Sequence, residues 1–78
     1  MFYLRYYDDA LKDAVKGIDM GVEGKLLASA YKIIGQVCRM KEDLTKAAEY
    51  FSKAIELDPE NGDYYHFRGL TYKLMDDY

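Results

Sequence analysis

Few side chains in this 78-residue chain have the types needed for chemistry. His66 is its single histidine and Cys38 its single cysteine, and they fall in different segments. A nucleophilic thiol needs a base within hydrogen-bond reach, and nothing in the pattern supplies one. Asp8 with Asp9, and Asp76 with Asp77, are carboxylate pairs at expected helix boundaries. Acidic residues there cap helices or face water, whereas acid–base work needs a cleft that perturbs the pair's pKa values. No His, Cys and carboxylate cluster has metal-ligand spacing, and one histidine is poor material for zinc. Gly24 and Lys25 look like the end of a phosphate-binding loop. However, Asp19 stands where that loop's first glycine belongs, and Leu26 comes next where Ser or Thr is needed. No catalytic residue, cofactor site or metal site is expected.

Composition narrows the remaining classes. Half of the residues are hydrophobic and one is proline, so the chain can bury a core and is not disordered. A net charge of −3 argues against a general binder of nucleic acid or of anionic membranes, both of which call for a basic excess. One cysteine cannot close an intrachain disulfide, which suits a reducing, cytoplasmic setting. Phe2, Tyr3, Leu4, Arg5, Tyr6 and Tyr7 form neither a basic leader nor a continuous apolar run, so no signal peptide is expected, and no stretch reaches the length of a membrane span.

The elements follow from periodicity. Leu4, Tyr7, Leu11, Ala14, Val15 and Ile18 recur at helical spacings of three and four, which predicts a helix over about residues 2–20, with Asp8 and Asp9 able to cap it or lie in its first turn. Gly17, Gly21 and Gly24 punctuate the connection to the next helix. Further helices are expected over about residues 25–41 and 44–57, the latter capped by Asp43. Pro59 closes that helix, because proline cannot continue it and pushes the residue before it out of helical geometry. A last helix starts near Gly62, capped by Asn61.

Tyr31, Ile34, Gly35 and Cys38 recur thirty-four residues later as Tyr65, Arg68, Gly69 and Tyr72, with Ala47, Phe51, Ala54 and Pro59 between the two sets. Over almost its whole length the chain resembles the tetratricopeptide repeat family, whose unit is a helix–turn–helix with these residue types at this period. The resemblance implies an all-α fold of four helices, with antiparallel hairpins stacked in a right-handed superhelix. Residues 1–20 would be the second helix of a partial repeat, 25–58 a full repeat, and 61–78 the first helix of an incomplete one, all in a single domain. Aligned on the repeat, Ala10, Ala14 and Ile18 match Ala47, Phe51 and Ile55 at a separation of thirty-seven, so three residues are extra. One added helical turn or a longer loop near Gly21 to Gly24 would absorb them, and residues 1–6 would be the tail of a missing first helix. Tyr31, Tyr65 and Tyr72 are expected in the core, and Cys38 stands where the family buries a tyrosine. Tyr50 should lie on the convex side, while Tyr3, Tyr6, Tyr7, Tyr64 and Tyr78 are not accounted for by the core.

The resemblance also implies a function. Such repeats are non-enzymatic protein–protein interaction scaffolds whose first helices line a concave groove. Here that groove would carry Ser29, Lys32, Gln36, Arg39 and Met40 from one helix, and Asp63, His66, Leu70, Lys73 and Leu74 from the other. Lys32, Arg39 and Lys73 make it locally basic, which suits a peptide or partner segment, an acidic one or a C-terminal carboxylate among them. Relatives that clamp such a carboxylate use a set of Lys, Asn and Arg. Lys32 matches that set and Gln36 approximates it, while Phe67, Ser29 and Ile33 depart from it. The alternative is a self-assembling structural module, or a fragment of a longer array, whose unpaired terminal helices complete a repeat in trans. A terminal helix rich in Tyr65, Tyr72 and Met75, with Arg68 where a leucine is usual, is not a polar cap. Leu4, Tyr7 and Leu11 in the first helix, and Tyr65, Arg68, Tyr72, Met75 and Tyr78 in the last, would then complete a repeat in trans and make a homo-oligomer.

Overall fold

The computed structural model describes the backbone of residues 2–76 and the side chains of residues 8–76. It contains four helices in chain order: α1 (Phe2–Asp19), α2 (Lys25–Met40), α3 (Leu44–Leu57) and α4 (Gly62–Asp76). Each packs on its sequence neighbour, through short turns that reverse the chain. The all-α hairpin architecture expected from the repeat is the one found.

Local chemistry explains the helix ends. After α1, Gly21 adopts a left-handed φ of 84°, the Gly21 N–H donates to the Ile18 carbonyl at 3.0 Å and the Val22 N–H to the Gly17 carbonyl at 3.3 Å. This pair of bonds satisfies carbonyls that the helix leaves open. The same closure ends α2, where the Asp43 N–H reaches the Cys38 carbonyl at 2.8 Å and the Glu42 N–H the Arg39 carbonyl at 3.0 Å. There the left-handed residue is Glu42, with φ 65°, a conformation in which a Cβ crowds the following carbonyl. Asp43 caps α3, its Oδ1 accepting from the Lys46 N–H at 3.4 Å, and Asn61 caps α4, its Oδ1 accepting from the Asp63 N–H at 3.0 Å. Both caps were expected from the sequence.

Three details depart from sequence expectation or decide between alternatives. α1 runs unbroken from Phe2, so residues 2–6 extend the second-type helix instead of forming the tail of a preceding one. For the same reason Asp8 and Asp9 lie inside the helix and not at its start; Asp8 pairs with Lys41 at 3.4 Å. The three extra residues are taken up as a helical turn, because α2 begins at Lys25 whereas its repeat counterpart α4 begins three positions later in register, at Gly62.

The core lies where α2, α3 and α4 converge. Ala28, Ala54, Ile55 and Tyr64 form one buried cluster with Tyr31 and Phe67 against it. Ala14, Ala30 and Ile34 form another, flanked by Leu11, Ile18, Ile33, Cys38 and Tyr50. At the centre Phe51 is 0% exposed, and its ring lies under Gly35 so closely that a Cβ on Gly35 would stand 2.7 Å from Cε1. The Phe51 ring also sits 5.7 Å from that of Phe67 on α4. The face of α4 that turns inward is Tyr64, Phe67 and Thr71, at spacings of three and four. Thr71 is fully buried, with its hydroxyl donating to the Phe67 carbonyl at 2.8 Å.

The expected core placement of two tyrosines is thereby corrected. Tyr65 is 45% and Tyr72 48% exposed, while Tyr64 is 4% exposed. α4 packs on α3 and, through Tyr64 and Phe67, reaches α2, so the residues on its other side stay uncovered. Tyr31 keeps its core role, stacking on Tyr50 with ring centres 6.0 Å apart, and Lys53 Nζ stands over both rings at 5.4 and 5.6 Å.

Two glycines at equivalent repeat positions should respond oppositely to alanine. Gly35→Ala drives a methyl into Phe51 and is expected to destabilise by about 1–3 kcal/mol. Gly69 has open space within 4 Å, so Gly69→Ala gains helix propensity and is expected to stabilise by about 0.5–1 kcal/mol. Urea unfolding of the two variants measures both signs. Glu42→Gly relieves the left-handed backbone and should raise the urea midpoint, by about 1 kcal/mol in stability.

Candidate interaction surfaces

Two sets of residues bear on contact. Of the groove residues expected from the repeat, Ser29, Lys32, Gln36 and Arg39 on α2 are half-buried and Met40 is exposed, and Ser29 also lines a cleft between α1 and α2. α4 contributes Asp63, His66, Leu70, Lys73 and Leu74, all exposed. The two helices are joined through Tyr64 and Phe67, which reach back to Ala28 and Tyr31. Tyr64 therefore sets the floor between them, a role that sequence reasoning missed. The signal was present: Tyr64, Phe67 and Thr71 repeat at helical spacing one residue out of step with Tyr65 and Tyr72.

The Tyr64 phenol shows how enclosed that floor is. Burial pushes its pKa up, and the carboxylates of Asp58 and Asp63 add to this; the side chains of Asn61 and Ser29 beside its hydroxyl act in the opposite direction. Among the described residues the ion pairs are Lys41 with Asp8 and Lys46 with Asp43, and none takes in Lys32, Arg39 or Lys73. Leu70 and Leu74 are each 38% exposed on the helix that carries Lys73.

The second surface is the outer face of α4. The Arg68 guanidinium carbon lies 5.6 Å from the Tyr65 ring centre and 6.0 Å from that of Tyr72, and Nη1 donates to the Ser52 hydroxyl at 3.3 Å. This holds an arginine between two aromatic rings with its apolar stem covered. Tyr72 and Met75 continue into a cleft of about 450 Å³ between α3 and α4, whose α3 wall includes Ala48 and Ser52. A cleft of about 250 Å³ lies at the other end of the molecule, between α1 and α2, lined by Asp13, Ala14, Gly17, Ala30 and Ile33 among others. Of the remaining expected assembly residues, Leu11 is half-buried against the Ala14 cluster. The side chains of Leu4 and Tyr7, and Tyr78 as a whole, lie outside the described residues.

Neither surface gathers reactive groups. Among the described residues, no group of three or more His, Cys, Asp or Glu is placed to hold a metal ion. No helix among them is long and apolar enough to cross a membrane. Cys38 is half-buried, and burial, with Asp43 nearby, pushes its thiol pKa up against the smaller pull of Lys46 and Lys41. A raised pKa keeps the sulfur protonated and unreactive.

Comparison with known proteins bears on the fold. Residues 28–61, which cover α3, most of α2 and the turn before α4, match the family model described as tetratricopeptide repeat. A stretch of 44 residues is 39% identical to the general transcriptional corepressor trfA of Dictyostelium discoideum; the match covers 56% of this chain and 3% of that protein. No solved structure matches the chain.

The thiol gives a pH test. Because the folded pKa of Cys38 lies above the unfolded one, its contribution to stability is complete below the unfolded thiol's titration and is lost as pH rises through the folded value. Alkylation by iodoacetamide near pH 8.5 should therefore be at least about threefold slower in the folded chain than in urea. Equal rates would contradict the shielding.

Proposed function

We propose that this chain, a tetratricopeptide repeat protein by virtue of residues 28–61, is a non-enzymatic protein–protein interaction scaffold that holds a partner segment between α2 and α4. The observation that carries the reading is the mixed strip on α4, where exposed Leu70 and Leu74 alternate with exposed His66 and Lys73; by the repeat pattern Lys32 and Arg39 of α2 would face it. Apolar side chains beside cations without internal partners suit a segment that carries both leucine-like and acidic residues. The match to part of a protein named as a transcriptional corepressor is in keeping with a scaffold role. The departures of Phe67, Ser29 and Ile33 from the carboxylate-clamp pattern favour acidic side chains along the segment over strict capture of a chain end.

A labelled peptide alternating Leu and Glu, titrated by fluorescence anisotropy, tests this. The wild-type chain should bind it, and Lys32→Glu combined with Lys73→Glu should weaken binding by about tenfold or more. If the double reversal leaves the affinity unaltered, the basic strip does not receive the partner and the reading fails.

A further inference from the structure

The intact α2–α3 hairpin is a template for how α4 and α1 could meet. Repeat register places Tyr65, Arg68 and Gly69 of α4 at the positions of Tyr31, Ile34 and Gly35 of α2. It places Asp13, Ala14 and Gly17 of α1 at the positions of Tyr50, Phe51 and Ala54 of α3. In the template Gly35 lies against Phe51, and Tyr50 stacks on Tyr31 and packs on the cluster that contains Ile34. At the two ends the apolar pair of Ile34 and Tyr50 is replaced by Arg68 and Asp13, opposite charges at positions that pack together. Asp13 is exposed, and neither it nor Arg68 takes part in an ion pair among the described residues.

Volume matches as well as charge. Tyr31 packs against a cluster containing Ala54 and Tyr64, whose counterparts Gly17 and Ala30 are smaller and line the cleft of about 250 Å³ between α1 and α2. That is where the Tyr65 ring would fall in the template geometry, and the cleft has room for a phenol. Gly69 has open space over it, as a close helix approach requires. The cleft between α3 and α4, walled by Tyr72 and Met75, lies where a second-type helix would come after α4.

We propose that α4 of one copy pairs with α1 of a second copy, head to tail, and rebuilds the repeat hairpin across two chains. Tyr65 enters the α1–α2 cleft of the second copy, and Arg68 meets its Asp13. In return α1 of the second copy lies along the α3–α4 cleft of the first. The two faces are different surfaces, so the contact is heterologous; it generates a closed ring, of which a reciprocal dimer is the smallest, or an open chain. This surface shares only Ser29, which lines the α1–α2 cleft, with the groove residues of α2 and α4, and either proposal can fail alone.

Light scattering behind size exclusion, from about 10 µM to about 1 mM, reads the assembly directly because association makes the mass depend on concentration. The wild-type mass should climb above 9.1 kDa. Arg68→Asp and Asp13→Arg should each remain monomeric with unchanged helical circular dichroism, since both positions are solvent-accessible. An equimolar mixture of these two variants should regain mass, because junctions between like-charged faces are relieved wherever an unmutated or doubly reversed pair restores opposite charges. Tyr65→Ala, which leaves the charges intact, should also lower the mass. A wild-type chain that stays at 9.1 kDa throughout overturns the proposal and assigns the α4 face to some other partner. So does a mixture that fails to recover, or charge variants that assemble like the wild type.

Discussion

The contact of Gly35 with Phe51 is the constraint on which the rest of the structure depends. A glycine on α2 lets the Phe51 ring of α3 approach to a distance no other side chain would permit, and the same ring lies close to Phe67 of α4. One aromatic side chain thus joins three helices. With α4 oriented by that contact, Tyr64 and Thr71 turn inward, Arg68 and Tyr72 border α3, and Tyr65, Leu70 and Leu74 are left in solvent. Every surface described above is a consequence of this orientation.

The two ends that result are unlike each other. The α1 end has a cleft in which the small Ala14, Gly17 and Ala30 stand beside Val22, Leu26 and Ile33, with a carboxylate at Asp13. The α4 end is bulky and aromatic, with a cation held between two rings. A stacked-repeat protein buries apolar surface only where one unit meets the next, so such faces are where the fold leaves its hydrophobic area in water. Five of the large hydrophobic side chains exposed to solvent belong to α4 alone: Tyr65, Leu70, Tyr72, Leu74 and Met75. Exposed apolar area on that scale in a 9.1 kDa chain is the physical basis for reading the protein as one that acts by contact. The one thiol, half-buried and held protonated, adds no reactive group to those surfaces.

Much of this was legible before any coordinates. The helices, the caps Asp43 and Asn61, and the close approach at Gly35 are local or pairwise features, written in spacing and residue type. What was misread is instructive. Tyr65 and Tyr72 occupy positions that a complete repeat buries, so motif reasoning put them inside. Whether they are buried depends on a helix that would have to pack on them, and a motif does not supply one. Tyr64 was overlooked because its burial comes from contact with Ala28 and Ile55, distant in the chain. Asp8 and Asp9 look like a helix start, yet their neighbours on the N-terminal side are equally able to be helical, and the helix runs through them. Glu42 in a left-handed conformation left no trace in the sequence, since glutamate gives no reason to expect it.

The sequence by itself determined the repeat class, the order of four helices and the caps Asp43 and Asn61, because each of these rests on side chains near one another in the chain or on a fixed period. Only the tertiary structure decided which face of α4 is buried, that the inserted residues form a turn of α2, and that a cleft lies at each end. Those outcomes depend on which helices actually meet, and helix contact is settled by the fit of whole faces, here Phe51 against Gly35 and Phe67.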